Sequence, residues 1–172
     1  MKKTITIITF LLLAISCEKD DICTSQNADT SHLKIKFYDQ LDQEVLKPVT
    51  NLLIVGVDNS LKYGLESTRD SIVIPLRILE NNTSYKLIKD YEIDDNGTPT
   101  DSSDDFATGN EDVIILNYVN EELFISKACG FKNVFNDLNL GLPADTDNWI
   151  LSSNVITNKI ENEDNAHIHI FH

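Results

Sequence analysis

Positive charge is scarce in this sequence. It contains 14 Lys and Arg residues against 28 Asp and Glu residues, which gives a formal net charge of −14. A surface of that sign repels phosphate backbones, and no cluster of Lys or Arg residues offsets it. We therefore expect no nucleic-acid partner.

Long hydrophobic runs are also missing. The apolar segment from Ile5 to Ile15 is about half as long as the ~20 residues that a membrane-spanning helix needs. It follows the basic start Met1-Lys2-Lys3 and ends in small residues, which is the pattern of a secretory signal peptide. The sequence predicts cleavage of residues 1–16, and the remaining length suits one domain, residues 32–172.

Cysteine is rare, and the first of the three falls directly after the predicted cut. The stretch from Leu13 to Cys17 resembles a bacterial lipobox, in which the cysteine is acylated and becomes the new N-terminus. We expect residues 17–31 to be an acylated Cys17 and a tether to the outer membrane. The following Lys19, Asp20 and Asp21 resemble a signal that sends lipoproteins to the outer face of that membrane, and a solvated tether is the alternative.

The other two cysteines, Cys23 and Cys129, leave two interpretations open. An exported protein meets an oxidising environment in which disulfides persist, and this bond would close a loop of roughly 100 residues. Two free buried thiols are the alternative, because sequence separation says nothing about side-chain geometry.

Sustained helical spacing of apolar residues is absent, and a period of two replaces it. Alternation is clear in Leu33–Tyr38, Ile72–Ile78 and Ser84–Ile93, whereas Val49–Val57 is apolar on both faces. Pro75 cannot donate to a strand ladder, which predicts an edge strand or a bulge there. We predict an all-β antiparallel sandwich of about eight strands, immunoglobulin-like or transthyretin-like.

Further along the chain the sequence predicts a hairpin, a long strand and a final strand. Val113–Val119 and Leu123–Cys129 predict a hairpin that turns at Asn120-Glu121. Trp149–Ile160 predicts one long strand. The last strand, Ala166 to Phe171, is predicted to direct its apolar residues inward and its histidines outward, and it either closes the core or offers a sheet edge to a partner's strand.

Motifs of nucleophilic, phosphate-binding and zinc-protease chemistry are absent: the chain has no G-x-S-x-G, G-x-x-x-x-G-K-[ST], H-E-x-x-H or C-x-x-C. We expect no cofactor. Two segments have some features of a metal site. The acidic segment around Asp94 and Asn96 has half of a calcium-loop spacing, but Ser103 stands where a bidentate glutamate is needed.

The second metal candidate is the pair His167 and His169, which would share one face of a strand. No carboxylate or thiol partner accompanies them. A solvated acidic loop and an exposed polar strand face are the interpretations that we prefer for the two candidates.

Several strings of this sequence resemble a family of flavobacterial lipoproteins built on a domain of unknown function. They are Cys17–Cys23, Leu33–Tyr38, Pro48–Leu52, Ala128–Phe131 and Ala166–Phe171. The resemblance implies a location and no activity, and it favours pairing of Cys23 with Cys129. We expect a non-enzymatic binding or structural module of the envelope that binds a partner protein, a glycan or a second copy of itself, at the cell surface in preference to the periplasm. An enzyme or an accessory subunit of nutrient uptake is the alternative.

Overall fold

The structure is a computed structural model that describes residues 23, 29–64 and 67–172. The predicted signal peptide, Cys17, and Lys19, Asp20 and Asp21 lie outside the described residues. No helix among the residues described is long and apolar enough to cross a bilayer.

The described residues form strands and no helix, so the all-β prediction is confirmed. The nine strands found in this part of the chain are β1 (Leu33–Tyr38), β2 (Val49–Gly56), β3 (Ser67–Arg69), β4 (Ser71–Ile74), β5 (Asn82–Asp94), β6 (Phe106–Ser126), β7 (Gly130–Gly141), β8 (Ser152–Val155) and β9 (Ile168–Phe171).

The strands form two sheets. One has the order β4-β1-β9-β8, and the other has the order β3-β2-β5-β6-β7. The assigned pairs are antiparallel with one exception, since β1 and β9 run parallel with Ile35 opposite Ile168 and Phe37 opposite Ile170. The sandwich is therefore mixed and not wholly antiparallel.

Alternate side chains from both sheets meet in one buried cluster, as the period of two predicts. Its members come from seven strands and include Leu33, Ile35, Phe37, Leu52, Ile54, Ile72, Ile74, Tyr85, Leu87, Ile114, Leu116, Phe135, Leu138, Ile168 and Ile170. Removing this apolar surface from water is the main stabilising contribution, at about 25 cal/mol per Å² buried.

The described residues divide into two compact units. Cys23, Asp29 and Thr30 form one unit together with Glu122–Lys132. The other unit consists of Ser31–Glu121, without residues 65–66, and Asn133–His172. The predicted division into a tether (17–31) and a domain (32–172) stays a prediction.

The edge strand at Pro75 is where the sequence placed it, because β4 ends at Ile74 and lies at the edge of its sheet. The hairpin predicted at Asn120-Glu121 is wrong. Strand β6 continues through both residues to Ser126. The Asn120 side chain donates to the carbonyl of Ile78, so this polar residue joins a neighbouring loop instead of forming a turn.

The long strand predicted for Trp149–Ile160 is divided between the two sheets. Residues Ser152–Val155 pair with β9, whereas Ile160 exchanges two backbone hydrogen bonds with Phe135 of β7, at 2.8 and 3.1 Å. Strand β9 lies between β1 and β8. It therefore closes the core, and the idea that it offers a free edge is wrong.

Candidate functional site

A cleft of about 260 Å³ lies between the turn that follows β2 and the loop that joins β4 to β5. The turn contributes Asp58 and Asn59, and the loop contributes Arg77. Tyr63 and Tyr85 supply aromatic surface beside these polar groups. Concave sites that combine apolar walls with a few fixed polar groups are the usual places for small ligands.

The first wall of the cleft is fixed by the turn after β2. The backbone amide of Ser60 donates to the carbonyl of Gly56 at 2.9 Å, and Asn59 Oδ1 accepts from the amide of Leu61 at 2.9 Å. Asn59 Nδ2 donates to the Tyr63 hydroxyl at 2.9 Å. A Cβ at position 56 would lie 2.3 Å from Asn59 Oδ1, so only glycine at this position leaves room for the side-chain amide of Asn59.

The second wall is organised by Arg77. Its Nη1 donates to Asp58 Oδ2 at 2.8 Å, and its Nη2 lies 3.3 Å from Glu80 Oε1. The three side chains are about half exposed, so the ion pairs add little to stability but hold the guanidinium in one direction. The backbone of Arg77 is fixed as well, because its amide donates to Thr83 Oγ1 and its carbonyl accepts from Tyr118.

Two buried tyrosines lie behind this wall. The Tyr85 hydroxyl donates to the carbonyl of Pro75, and the Tyr118 hydroxyl lies 2.6 Å from Thr83 Oγ1. Burial raises the pKa of Tyr85 and the pKa of Tyr118 above the ordinary tyrosine value. Both phenols therefore stay protonated and serve as hydrogen-bond donors, not as bases.

The side chains of the cleft offer both hydrogen-bond donors and hydrogen-bond acceptors. Its described lining contains carboxylate, amide, guanidinium and hydroxyl groups but no histidine or cysteine. The Arg77 guanidinium is matched by two carboxylates, and no hydroxyl there has a base within hydrogen-bond distance that would activate it. Sequence reasoning missed this site. The signals in the sequence were the polar string Asp58-Asn59-Ser60, which is typical of a turn, and the proline at position 75.

The acidic loop brings Asn96 to Asp104, but its carboxylates already have donors. Asp94 accepts from the amide of Asn96 at 2.8 Å, and Asp104 accepts from Asn96 Nδ2 at 3.0 Å and Thr98 Oγ1 at 2.9 Å. The Asn96 and Thr98 hydrogen bonds lower the pKa of Asp104. Within the described part of the chain, no group of three or more His, Cys, Asp or Glu side chains is arranged to hold a metal ion.

The two histidines do not share an exposed face. His167 is buried, which corrects the prediction that it points outward, whereas His169 is half-buried and lies 4.5 Å from the Tyr38 ring. His167 Nδ1 accepts from the amide of Lys34 at 3.0 Å, and its Nε2 donates to the carbonyl of Asn162 at 3.0 Å.

Both ring nitrogens of His167 thus have protein partners, although the residue lines a second cleft of about 460 Å³. Burial lowers the pKa of His167, which keeps the ring neutral at neutral pH. The side chain joins β1 to the segment before β9, and this is a structural role.

Cys23 and Cys129 are joined in a disulfide with their Cα atoms 4.9 Å apart, so the interpretation as two free thiols is excluded. The bond lies within the unit that contains Glu122–Lys132. It connects the segment that follows Cys17 to the turn between β6 and β7. Asp94 and Asn96 are also in contact, through the amide hydrogen bond described above.

A buried carboxylate that the sequence did not reveal is Asp112 in β6, which is 0% exposed. Its Oδ2 accepts from the amide of Ile150 at 2.7 Å, and its Oδ1 accepts from Asn148 Nδ2 at 3.2 Å. Burial raises the pKa of Asp112 despite these donors. It lies away from the cleft and holds the segment before β8 against the sheet.

Comparison with known proteins places this chain in a family but not in a functional class. No curated protein and no solved structure matches it. Residues 51–172 match a family of unknown function, and this match covers most of β2, all of β3 to β9 and every residue of the cleft. The chain belongs to the family of unknown function DUF6452.

Proposed function

We propose that this protein is an outer-membrane lipoprotein that binds a hydroxyl-rich ligand, a glycan, and catalyses no reaction. The observation that carries the proposal is the cleft between Asn59 and Arg77, where donors and acceptors are fixed on opposite walls. Its tyrosines stay neutral, and its charged groups are already paired. These features suit recognition and not proton transfer.

The charge of the cleft favours an uncharged ligand. Arg77 faces Asp58 and Glu80, so this set carries a net charge of −1 on a chain whose formal charge is −14. An anionic ligand would be repelled, and a cationic one would have to displace Arg77. Sugar hydroxyls both donate and accept, and they match a site that offers carboxylate oxygens beside guanidinium and amide N–H groups.

The anchor of the proposed lipoprotein is the acyl group on Cys17. Its support is the basic start, the short apolar segment and the cysteine after the predicted cut. One acyl chain binds a membrane only reversibly, whereas two or three chains hold a protein stably. We also propose that the lipoprotein is displayed on the outer face of the outer membrane, because Lys19, Asp20 and Asp21 resemble a signal for export to that face. The cleft would then meet glycans outside the cell.

The glycan prediction is tested by calorimetric titration of the purified mature protein with neutral and acidic oligosaccharides. We expect binding of a neutral glycan and an affinity loss of at least about tenfold in Arg77→Gln. Lys86→Gln is the matched control, because Lys86 is an equally exposed cation paired with Glu111 at 2.8 Å outside the cleft. Equal losses in both variants, or turnover of the bound glycan, would overturn the proposal.

The anchor is tested separately by growing cells with a fatty-acid analogue. The protein should acquire the label, and Cys17→Ala should not. A label that persists in Cys17→Ala would contradict acylation at this residue without bearing on the cleft.

A further inference from the structure

The turn between β6 and β7 carries an exposed aromatic pair. Phe124 and Phe131 are 54% and 58% exposed, and their ring centroids lie 5.2 Å apart in an edge-to-face arrangement. Leu123 beside them is also exposed. Two phenyl rings that pack on each other while both face solvent form a local apolar patch, and such patches mark contact surfaces in soluble proteins.

The backbone beneath this pair is well defined. Residues 127–129 form the turn, Ser126 Oγ accepts from the amide of Cys129 at 3.1 Å, and Gly130 has a φ of 71°. A three-residue turn followed by a left-handed glycine is a common hairpin geometry. The disulfide from Cys129 to Cys23 then ties this turn to the N-terminal segment.

The charge of the hairpin differs from that of the rest of the chain. Glu122–Lys132 contains Lys127 and Lys132 against the single acid Glu122, a net charge of +1 in a chain of −14. Basic residues that flank exposed aromatic rings are typical of segments that lie at the surface of an anionic bilayer.

We propose that the hairpin Glu122–Lys132 is a second membrane contact, in which Phe124 and Phe131 enter the headgroup layer of the bilayer that holds the acyl chains. This inference rests on acylation of Cys17. Residue 17 is six residues from residue 23, which reach at most about 20 Å when extended. The disulfide adds a Cα separation of 4.9 Å, so Cys129 stays within about 25 Å of the acylated residue.

The short covalent path from Cys17 to Cys129 favours the membrane, and not a protein, as the contact of the aromatic pair. A protein partner would have to be recruited to the aromatic pair, whereas the membrane surface is already held beside it by the tether. Phenylalanine is among the residues that enter the boundary between headgroups and acyl chains in interfacial segments, and Lys127 in the turn matches anionic headgroups. Contact at two points would also restrict how the tethered protein tilts on the membrane.

The test uses the lipidated full-length protein, purified from membranes and reconstituted into phosphatidylcholine vesicles that contain phosphatidylglycerol and brominated lipid. Phe131→Trp places a fluorescent reporter in the hairpin, and Phe124→Trp is a second reporter if the first variant does not fold. Leu41→Trp is the matched control, because Leu41 is a 96% exposed apolar residue in the other unit. The native Trp149 is buried and provides a common background.

We expect bromine quenching of the hairpin reporter to exceed that of Leu41→Trp at least about threefold, and the hairpin emission to shift to shorter wavelength on reconstitution. Protein that floats with the vesicles but shows equal quenching at both positions would overturn the hairpin contact and leave the anchor intact. Protein that does not float would overturn the anchor and this inference with it. Shielding of the hairpin by a bound protein, without bromine quenching, would also overturn it.

Discussion

Loss of the disulfide should cost less stability than its long loop suggests. The bond joins residues 106 apart in sequence, and the chain-entropy model assigns about 4.7 kcal/mol to a loop of that size. That figure holds only if the folded chain already brings the two cysteines together. Strand β1 begins at Leu33, ten residues after Cys23. In the folded chain, forming the bond to Cys129 therefore still carries the entropic cost of closing about ten residues, and this cost is subtracted from the cost in the unfolded chain. The difference, (3/2)RT ln(106/10), is about 2 kcal/mol.

The measurement compares the chain from residue 18 onward with its Cys23→Ser/Cys129→Ser variant. Urea unfolding should show a loss of about 2 kcal/mol, and at about 2.1 cal/mol/K per residue over about 150 residues the melting temperature should fall by roughly 6 to 7 °C. The double variant avoids reducing agents, and the single variants would leave a free thiol. A loss near 4.7 kcal/mol would refute the reasoning, because the sheets would then hold Cys23 next to Cys129 without the bond. No loss at all would refute it as well.

Three further predictions concern the stability of the fold. Gly109→Ala should lower the free energy of unfolding by about 2 kcal/mol or more, because the φ of 127° at this position is strained for alanine and the added Cβ would lie 2.9 Å from the Lys89 carbonyl oxygen. Gly141→Ala is the control. Its Cβ would meet no atom closer than 3.7 Å, so chemical unfolding should show a loss of less than about 1 kcal/mol. Asp112→Ala should lower the free energy of unfolding by about 2 to 3 kcal/mol, because it leaves the buried amide of Ile150 without an acceptor. Asp112→Asn keeps an acceptor oxygen and should cost less. Equal losses in the two variants would contradict the role of Asp112 as the acceptor for Ile150. The pKa of His167 is lowered in the folded state, so on acidification the unfolded chain takes up a proton first. The contribution of the neutral His167 side chain to stability is therefore present above about pH 6.5 and is lost as the pH falls below that value. His167→Gln should reduce the slope of unfolding free energy against pH between about pH 7.5 and 5, and an unchanged slope would refute the lowered pKa of His167.

Much of the fold could be predicted because burial has a period of two. Leu33–Tyr38 alternates in sequence, and its side chains alternate in burial in the same register. Pro75 indicated the edge strand because proline has no backbone N–H to donate to a neighbouring strand, which holds in any fold. The parallel pairing of β1 with β9 could not be predicted, since both strands have the same alternation whichever way the partner runs.

The missed turn between β6 and β7 has a physical cause. Asparagine is a frequent turn residue, but here Asn120 lies half-buried within β6 and donates to the carbonyl of Ile78, whereas Glu121 is exposed to solvent. The real turn at 127–129 depends on Ser126 and the left-handed Gly130, and a single glycine beside a cysteine is a weak sequence signal. The same limit applies to the cleft. Its two walls come from positions 59 and 77, and only the folded chain brings them together.

The position of β9 restricts where this protein can make contacts. Ile168 and Ile170 are fully buried opposite Ile35 and Phe37, and the backbones of Lys34 and His167 also join there, at 2.8 Å. Removing residues 166–172 would open the centre of a four-stranded sheet, so we expect such a deletion to prevent folding instead of releasing a partner. Strand addition at β9 is thereby excluded. The last strand therefore gives no support to a partner-strand interface, and the contacts that we propose are the polar cleft for the ligand and the aromatic hairpin for the membrane.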